Sequence, residues 1–532
     1  MGKGGQWENQ DCIESPTAAT IPAHIGCLRF SASIGGFLMS NRRRWLVALL
    51  AAATIWGLVD VRRRGYEYPQ PPAEHRSDLT VYTEAGAAFF DGRPPYEVAN
   101  PRGWTYLYPP MFALMLAPLH LLPMQDQVTV WFFISLLICW GCYSECRRLL
   151  RIVCVDDDDA AASYARWFPW LAVAAIIAAL LPTLNCLQRG QVGIVKLYLL
   201  LLGFRLVLGG RTYRSWIAGG VVLALPVVLK IIPLLPVAFV LFLQLAAWVR
   251  GGFTQVGAAC QHFEGRQECL PHRGGQSVPG RRFAASSLGV AVGLTLFFLL
   301  IPAALIGWKA NLQHLDTWAR FMLTKADDGG VDPRSGNSRA ARNQSLHNAA
   351  YRLGNFASYV LADDPDDRLV ENFHAPRMAM DSPLAERSLL AARLALLLAL
   401  LFTGIRLGSG NKLDAAVGFG LACVAMLVVS PVARGHYFML LAPAVLFLPL
   451  WLDRCGQRRA ALVMAAVPAA LSILHYVLLS QAGRIGLLGL GTAGWLMAAM
   501  VLVARAGSRI AVSDNTADGT AKCPSLRLTK AA

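Results

Sequence analysis

The chain has 532 residues, 55% hydrophobic and 15% charged, with a formal net charge of +16. Its apolar residues fall in long runs, not in short periodic stripes, which excludes a water-soluble globular enzyme and marks a membrane protein. The positive charge is no nucleic-acid footprint, because the arginines flank the apolar runs, where charge sets orientation in a bilayer.

A hydrocarbon layer of about 30 Å takes about 20 apolar helical residues to cross. On that measure the sequence predicts an all-α polytopic membrane protein of about twelve transmembrane helices. They are expected at 45–61, 127–146, 165–184, 192–208, 215–229, 233–249, 284–305, 388–406, 414–431, 436–452, 459–480 and 486–505. The run 215–249 holds two helices, parted near Lys230-Ile-Ile-Pro233, where proline ends a helix and lysine prefers the interface. With the spans alternating, Arg42-Arg43-Arg44, Arg147-Arg148, Arg151, Arg211, Arg214, Arg281-Arg282, Lys412 and Arg458-Arg459 share one side. Basic flanks stay in the cytoplasm, so both termini are expected inside; only Arg62-Arg63-Arg64 opposes this.

The membrane domain is expected at 42–505, between disordered cytoplasmic ends at 1–41 and 506–532, with a polar, disordered cytoplasmic insert at 251–283. No cleavable leader is expected. The twelve cysteines have neither a secreted framework nor zinc spacing, and are expected to be reduced.

Two long loops, 62–126 and 306–387, fall on the outer side, and long loops without low complexity commonly carry function. In the first, Pro109-Pro110 opens an apolar segment, 111–123, too short to span and suited to an interfacial helix. Tyr82, Tyr96, Trp104, Tyr106 and Tyr108 read most simply as an aromatic belt at headgroup depth.

Certain polar residues ask for more. Asp78 is an ordinary loop aspartate or a carboxylate able to take a proton from a sugar hydroxyl. Gln191, at the outer entry of a span, caps a helix or bridges hydroxyls. Lys230 lies among Leu, Val and Ile and either snorkels or meets a lipid phosphate. Asn343-Gln344-Ser345 with Arg352, and Arg434 with His436, are solvated loop residues or members of the same outer site. All seven principal candidates map to one face under a topology drawn from arginines elsewhere. Gly489-Leu-Gly491-Thr-Ala-Gly494 spells a nucleotide-binding motif, but inside an apolar span it reads as small-residue helix packing. The acidic run Asp156–Asp159 is on the opposite side and reads as a solvated turn.

In order, Ser77-Asp78-Leu-Thr-Val-Tyr82, Gly92-Arg-Pro-Pro-Tyr96, Tyr106-Leu-Tyr108-Pro109-Pro110, Gly190-Gln191-Val192, Lys230-Ile-Ile-Pro233, Asn343-Gln344-Ser345-Leu346 before Arg352, and Ser430-Pro431 before His436 resemble glycosyltransferase family 87. The stretch 430–437 departs from the tryptophan and paired histidines usual there. The resemblance implies a C-type glycosyltransferase fold (GT-C) with an extracytoplasmic active site in the cell membrane, and a polyprenyl-phosphate sugar donor, typically mannose. It further implies transfer with inversion to a glycolipid or polysaccharide acceptor. On it, Asp78 is the expected base; Lys230, Arg352, Arg434 and His436 meet the phosphate; Gln191, Asn343, Gln344, Tyr82, Tyr106 and Tyr108 line the sugar and acceptor. No obligate metal or other cofactor is expected, since cations can receive the phosphate. Partners are the lipid-linked donor, the acceptor and the bilayer, not nucleic acid. The rival reading is a transporter or flippase of lipid-linked sugars.

Overall fold

The computed structural model describes residues 51–63, 77–99, 105–155, 158–262, 279–327, 343–346, 383–407, 411–478 and 486–517, with isolated positions 48 and 349. The chain divides into two compact units, Met1–Trp56 and Gly57–Ala532. The first contributes Ala48 and helical residues 51–56; every element below belongs to the second. The expectations for 1–41, for 263–278 within the cytoplasmic insert, and for 518–532 fall outside the described residues, as do Trp104 and Arg352.

The described residues are helical without strands, and their β pairing is limited to isolated bridges, Ala99 with Thr105 and Asn343 with Arg434. The first long loop contains α1 (Leu79–Asp91) and α2 (Pro110–Leu116), the latter continued by a 3-10 turn over Ala117–Leu121. Proline at the start of α2 costs nothing, since the first amides of a helix have no intrahelical partner. There follow α3 (Met124–Val155), α4 (Asp158–Arg189), α5 (Gly193–Gly209), α6 (Tyr213–Leu229) and α7 (Leu234–His262). The long run does part into α6 and α7, with Lys230 as the C-cap of α6. Next come α8 (Pro279–Ile306), α9 (Trp308–Asp327), α10 (Pro383–Leu407), α11 (Lys412–Val429), a 3-10 helix over Gly435–Leu441 leading into α12 (Ala442–Arg454), α13 (Arg458–Val477) and α14 (Leu487–Ala517).

Among the described residues, eight helices are long and apolar enough to cross a membrane: Met124–Cys154, Trp170–Arg189, Pro279–Ile306, Arg387–Leu407, Lys412–Val429, Gly435–Arg454, Arg458–Val477 and Leu487–Ala506. Tyr213–Leu229 and Leu234–Arg250 are shorter apolar helices. The protein is thus a polytopic helical membrane protein. Two boundaries differ from expectation: α7 runs on to His262 and α14 to Ala517, where helix propagates past the apolar run into segments read as irregular.

Burial separates centre from periphery. The apolar window of Lys412–Val429 is 78% buried and that of Gly435–Arg454 89%, against 22% for Pro279–Ile306, so α11 and α12 form the middle of the bundle. Phe204 of α5 stacks on Phe419 of α11 at 4.2 Å between ring centroids, within one continuous core. Peripheral helices turn Leu137, Trp140, Trp170, Leu288, Leu394, Leu398 and Val477 outward, as a hydrocarbon solvent permits.

α6 and α8 meet at bare backbone: a Cβ on Gly220 would lie 2.3 Å from the Ser286 carbonyl oxygen, and one on Gly289 2.2 Å from that of Ile217. Midway along, α8 loosens to a π-helical turn at Thr295–Leu300, and the Asn311 amide donates to the carbonyls of Phe298 and Leu299 at 3.0 and 3.4 Å. Buried Glu145 accepts from Arg205 and, at 2.7 Å, from Arg148, so this carboxylate is satisfied inside the bundle.

The two long loops pack on each other. Trp318 of α9 donates its indole N–H to the Leu107 carbonyl at 3.3 Å, and His314 meets Phe89 of α1 at 4.8 Å between ring centroids. Tyr82, Tyr96, Tyr106 and Tyr108 sit inside this layer, each less than a tenth exposed, so they form a core and not the expected surface belt. The cause is edge-on packing around Phe89 and Phe112, with Tyr82 4.9 Å and Tyr108 5.1 Å from the Phe112 ring.

Candidate active site

The site begins at the end of α4. Helix α4 closes on Arg189, and Gly190 turns left-handed with φ +64°. A side chain there would also strike α1, since a Cβ would lie 2.7 Å from Ser77 Oγ and 3.0 Å from Leu79 Cβ. This close approach lets the Asp78 amide donate to the Arg189 carbonyl at 2.9 Å. It seats Gln191 directly beside Asp78.

Asp78 is the N-cap of α1, yet its carboxylate makes no capping bond to its own helix. It accepts instead from Gln191 Nε2. Gln191 Oε1 in turn accepts from the Tyr82 hydroxyl at 3.3 Å, and the Tyr82 and Tyr108 hydroxyls lie 3.2 Å apart. The amide is thereby oriented by chemistry at both ends, nitrogen to carboxylate and oxygen to phenol. Burial raises the Tyr82 and Tyr108 phenols above their ordinary range, so both stay neutral hydrogen-bonding groups.

Opposite stand cations. Lys230, half-buried at the C-terminal end of α6 where the helix dipole favours positive charge, donates to the Tyr437 hydroxyl and lies 5.4 Å from the centroid of the Tyr108 ring. Arg434 and Asp78 both act electrostatically on Lys230, and Tyr437, Asp78, Tyr108 and Tyr82 act on Arg434. His436 is 1% exposed, and among the described residues its Nε2 has no hydrogen-bond partner. The protein thus leaves a buried polar atom unsatisfied beside a cluster of cations.

The segment bearing Arg434 and His436 is held by Asn343. Its amide oxygen accepts from Ala433 N–H at 2.9 Å and Ser345 N–H at 3.1 Å, and its nitrogen donates to the Pro431 carbonyl at 3.3 Å. Gln344 N–H donates to the Ala433 carbonyl at 2.6 Å. Gly489 of α14 admits the Gln344 carbonyl, which would lie 1.8 Å from a Cβ at that position, so the glycine motif serves packing.

The structure therefore gathers Asp78, Gln191, Tyr82, Tyr108, Lys230, Arg434 and His436. Asn343 and the Gln344 backbone have another task, bracing the 431–436 segment. Tyr106 is committed to its own loop, donating to the Pro109 carbonyl at 2.7 Å and accepting from Ala113 N–H at 3.0 Å. The sequence reading missed Tyr437 and Lys196, whose ammonium lies 4.6 Å from the centroid of the Tyr437 ring. Lys196 carried the signal that flagged Lys230, a lysine inside an apolar run.

Residues 106–261 match the model of glycosyltransferase family 87. The match spans under a third of the chain. The family 87 stretch includes Tyr108, Gln191, Lys196 and Lys230, while Asp78, Arg434 and His436 lie beyond it. Together with the apolar helices, this likeness indicates a membrane glycosyltransferase. No curated protein and no solved structure matches the chain.

Proposed function

We propose that this glycosyltransferase moves a hexose, mannose in the first instance, from a polyprenyl-phosphate donor to an extracytoplasmic glycolipid or polysaccharide hydroxyl, with inversion. The observation that carries the reading is the placing of one carboxylate, Asp78, held by Gln191, against a cation group of Lys230 and Arg434 at the ends of apolar elements. A lipid-borne phosphate reaches such a place from within the bilayer; a nucleotide sugar reaches it only from water.

On this reading Asp78 takes the proton of the acceptor hydroxyl as its oxygen attacks the anomeric carbon, which is general-base catalysis. Lys230, Arg434 and His436 stabilise the departing phosphate in a poorly solvated pocket, and Arg352 is assigned with them. Gln191, Tyr82 and Tyr108 orient Asp78 and the sugar. Both termini are cytoplasmic, about twelve helices cross the bilayer in a GT-C arrangement, and the site faces outward. The cations do the work a divalent metal does elsewhere.

The test is a donor panel with the purified full-length protein. Labelled polyprenyl-phosphate mannose is expected to support transfer to a membrane acceptor fraction, undiminished by chelator, while nucleotide-linked mannose supports none. Transfer from the nucleotide sugar alone would overturn the donor class, and loss with chelator restored by Mn²⁺ or Mg²⁺ would overturn the metal-free step.

A further inference from the structure

Lys196 is a buried charge that the reaction above leaves unused. It lies in the first turn of α5, 3% exposed. Three penalties fall on it: an ammonium removed from water, the positive end of a helix, and the like charge of Lys230, which acts on it directly. Its Nζ is 4.6 Å and that of Lys230 4.5 Å from the centroid of one ring, Tyr437, whose hydroxyl accepts from Lys230. Among the described residues neither lysine has a carboxylate at ion-pair distance, and a tyrosine ring is a weak counter-charge. Lys196 and Lys230 are also among the charges acting on His436, whose Nε2 is the orphaned buried atom of the site. Two lysines and an unsatisfied nitrogen converge with no carboxylate at ion-pair distance of either lysine, among the described residues.

We propose that Lys196 and Lys230 act as a pair that receives the second negative charge formed on the lipid phosphate during transfer, making the site selective for a lipid phosphomonoester over a phosphodiester. The inference rests on the lipid-phosphate donor proposed above. As the acceptor oxygen bonds to the anomeric carbon, its proton passes to Asp78. The bond from anomeric carbon to phosphate oxygen breaks, its electron pair staying on that oxygen. A monoanionic diester thereby becomes a dianionic monoester. Lys196 adds a positive charge to match the negative charge that the phosphate gains, and an interaction that strengthens along the reaction raises kcat more than it lowers KM.

The experiment is equilibrium binding of radiolabelled polyprenyl phosphate and of its methyl ester to the purified full-length protein, alongside donor kinetics. Wild type is expected to bind the monoester about tenfold or more tightly than the methyl diester, the scale of one charge-assisted contact. Lys196→Met removes that preference, leaves diester affinity within about twofold and lowers kcat about tenfold with KM little changed, while Lys196→Arg retains part of both. Equal affinity of wild type for the two lipids overturns the proposal without recourse to any variant. A methionine variant that keeps both the preference and kcat overturns the role of Lys196 and leaves the donor reading standing. A wild-type protein that binds neither lipid overturns both.

Discussion

Gly190 carries two constraints at once, a left-handed backbone and a contact with α1 that leaves no space for a methyl group. Gly190→Ala is therefore expected to cost about 1–2 kcal/mol for the conformation alone, with the clash added, and to lower Tm by several degrees in a detergent melt. The same variant should lose transfer activity beyond its loss of stability, because the turn seats Gln191 on Asp78. Much of this neighbourhood was legible in the sequence as residue types out of place: a carboxylate before an apolar helix, an amide at a span entry, a lysine among leucines. Individual roles were not. Asn343 and Gln344 looked like sugar ligands, yet Asn343 and the Gln344 backbone are engaged with loop backbone. Loop pairing such as the Asn343 bridge to Arg434 joins segments far apart in the chain and leaves no periodic trace.

The helices themselves followed from apolar runs because in hydrocarbon every backbone amide needs an internal partner, which a continuous helix supplies. How they pack was less visible. The α6–α8 contact depends on Gly220 and Gly289, unremarkable among the 47 glycines of the chain, and a side chain at either would have to displace backbone. Gly289→Leu is expected to force these helices apart, seen as a broadened or shifted size-exclusion peak and a Tm several degrees lower, whereas Val292→Leu on the outward face of the same helix should change neither. A melt of Gly289→Leu superimposable on wild type would show the crossing to be slack. The aromatic layer was misread for a related reason. Composition identifies rings fit for the interface, but whether α1, α2 and α9 close over them depends on tertiary contacts such as Trp318 to Leu107.

Across the molecule, the proposed topology puts the basic flanks on one side of the bilayer and the chemistry on the other. Arg93 is exposed just after α1 and Arg211 in the short connection between α5 and α6. A cysteine at position 93 is expected to react with an impermeant maleimide on intact cells, above the wild-type background, and one at 211 only after permeabilisation; the reverse pattern would invert the topology. The family 87 match covers residues 106–261, so the cations at Lys196 and Lys230 fall inside it and the proposed base outside it. Asp78 carries the proposed proton transfer. Its direct test is transfer of labelled mannose from polyprenyl phosphate by purified Asp78→Asn, compared with wild type at matched Tm. Removal of the general base should reduce the rate by about 10²–10⁴-fold while donor binding persists; transfer at the wild-type rate would contradict the account.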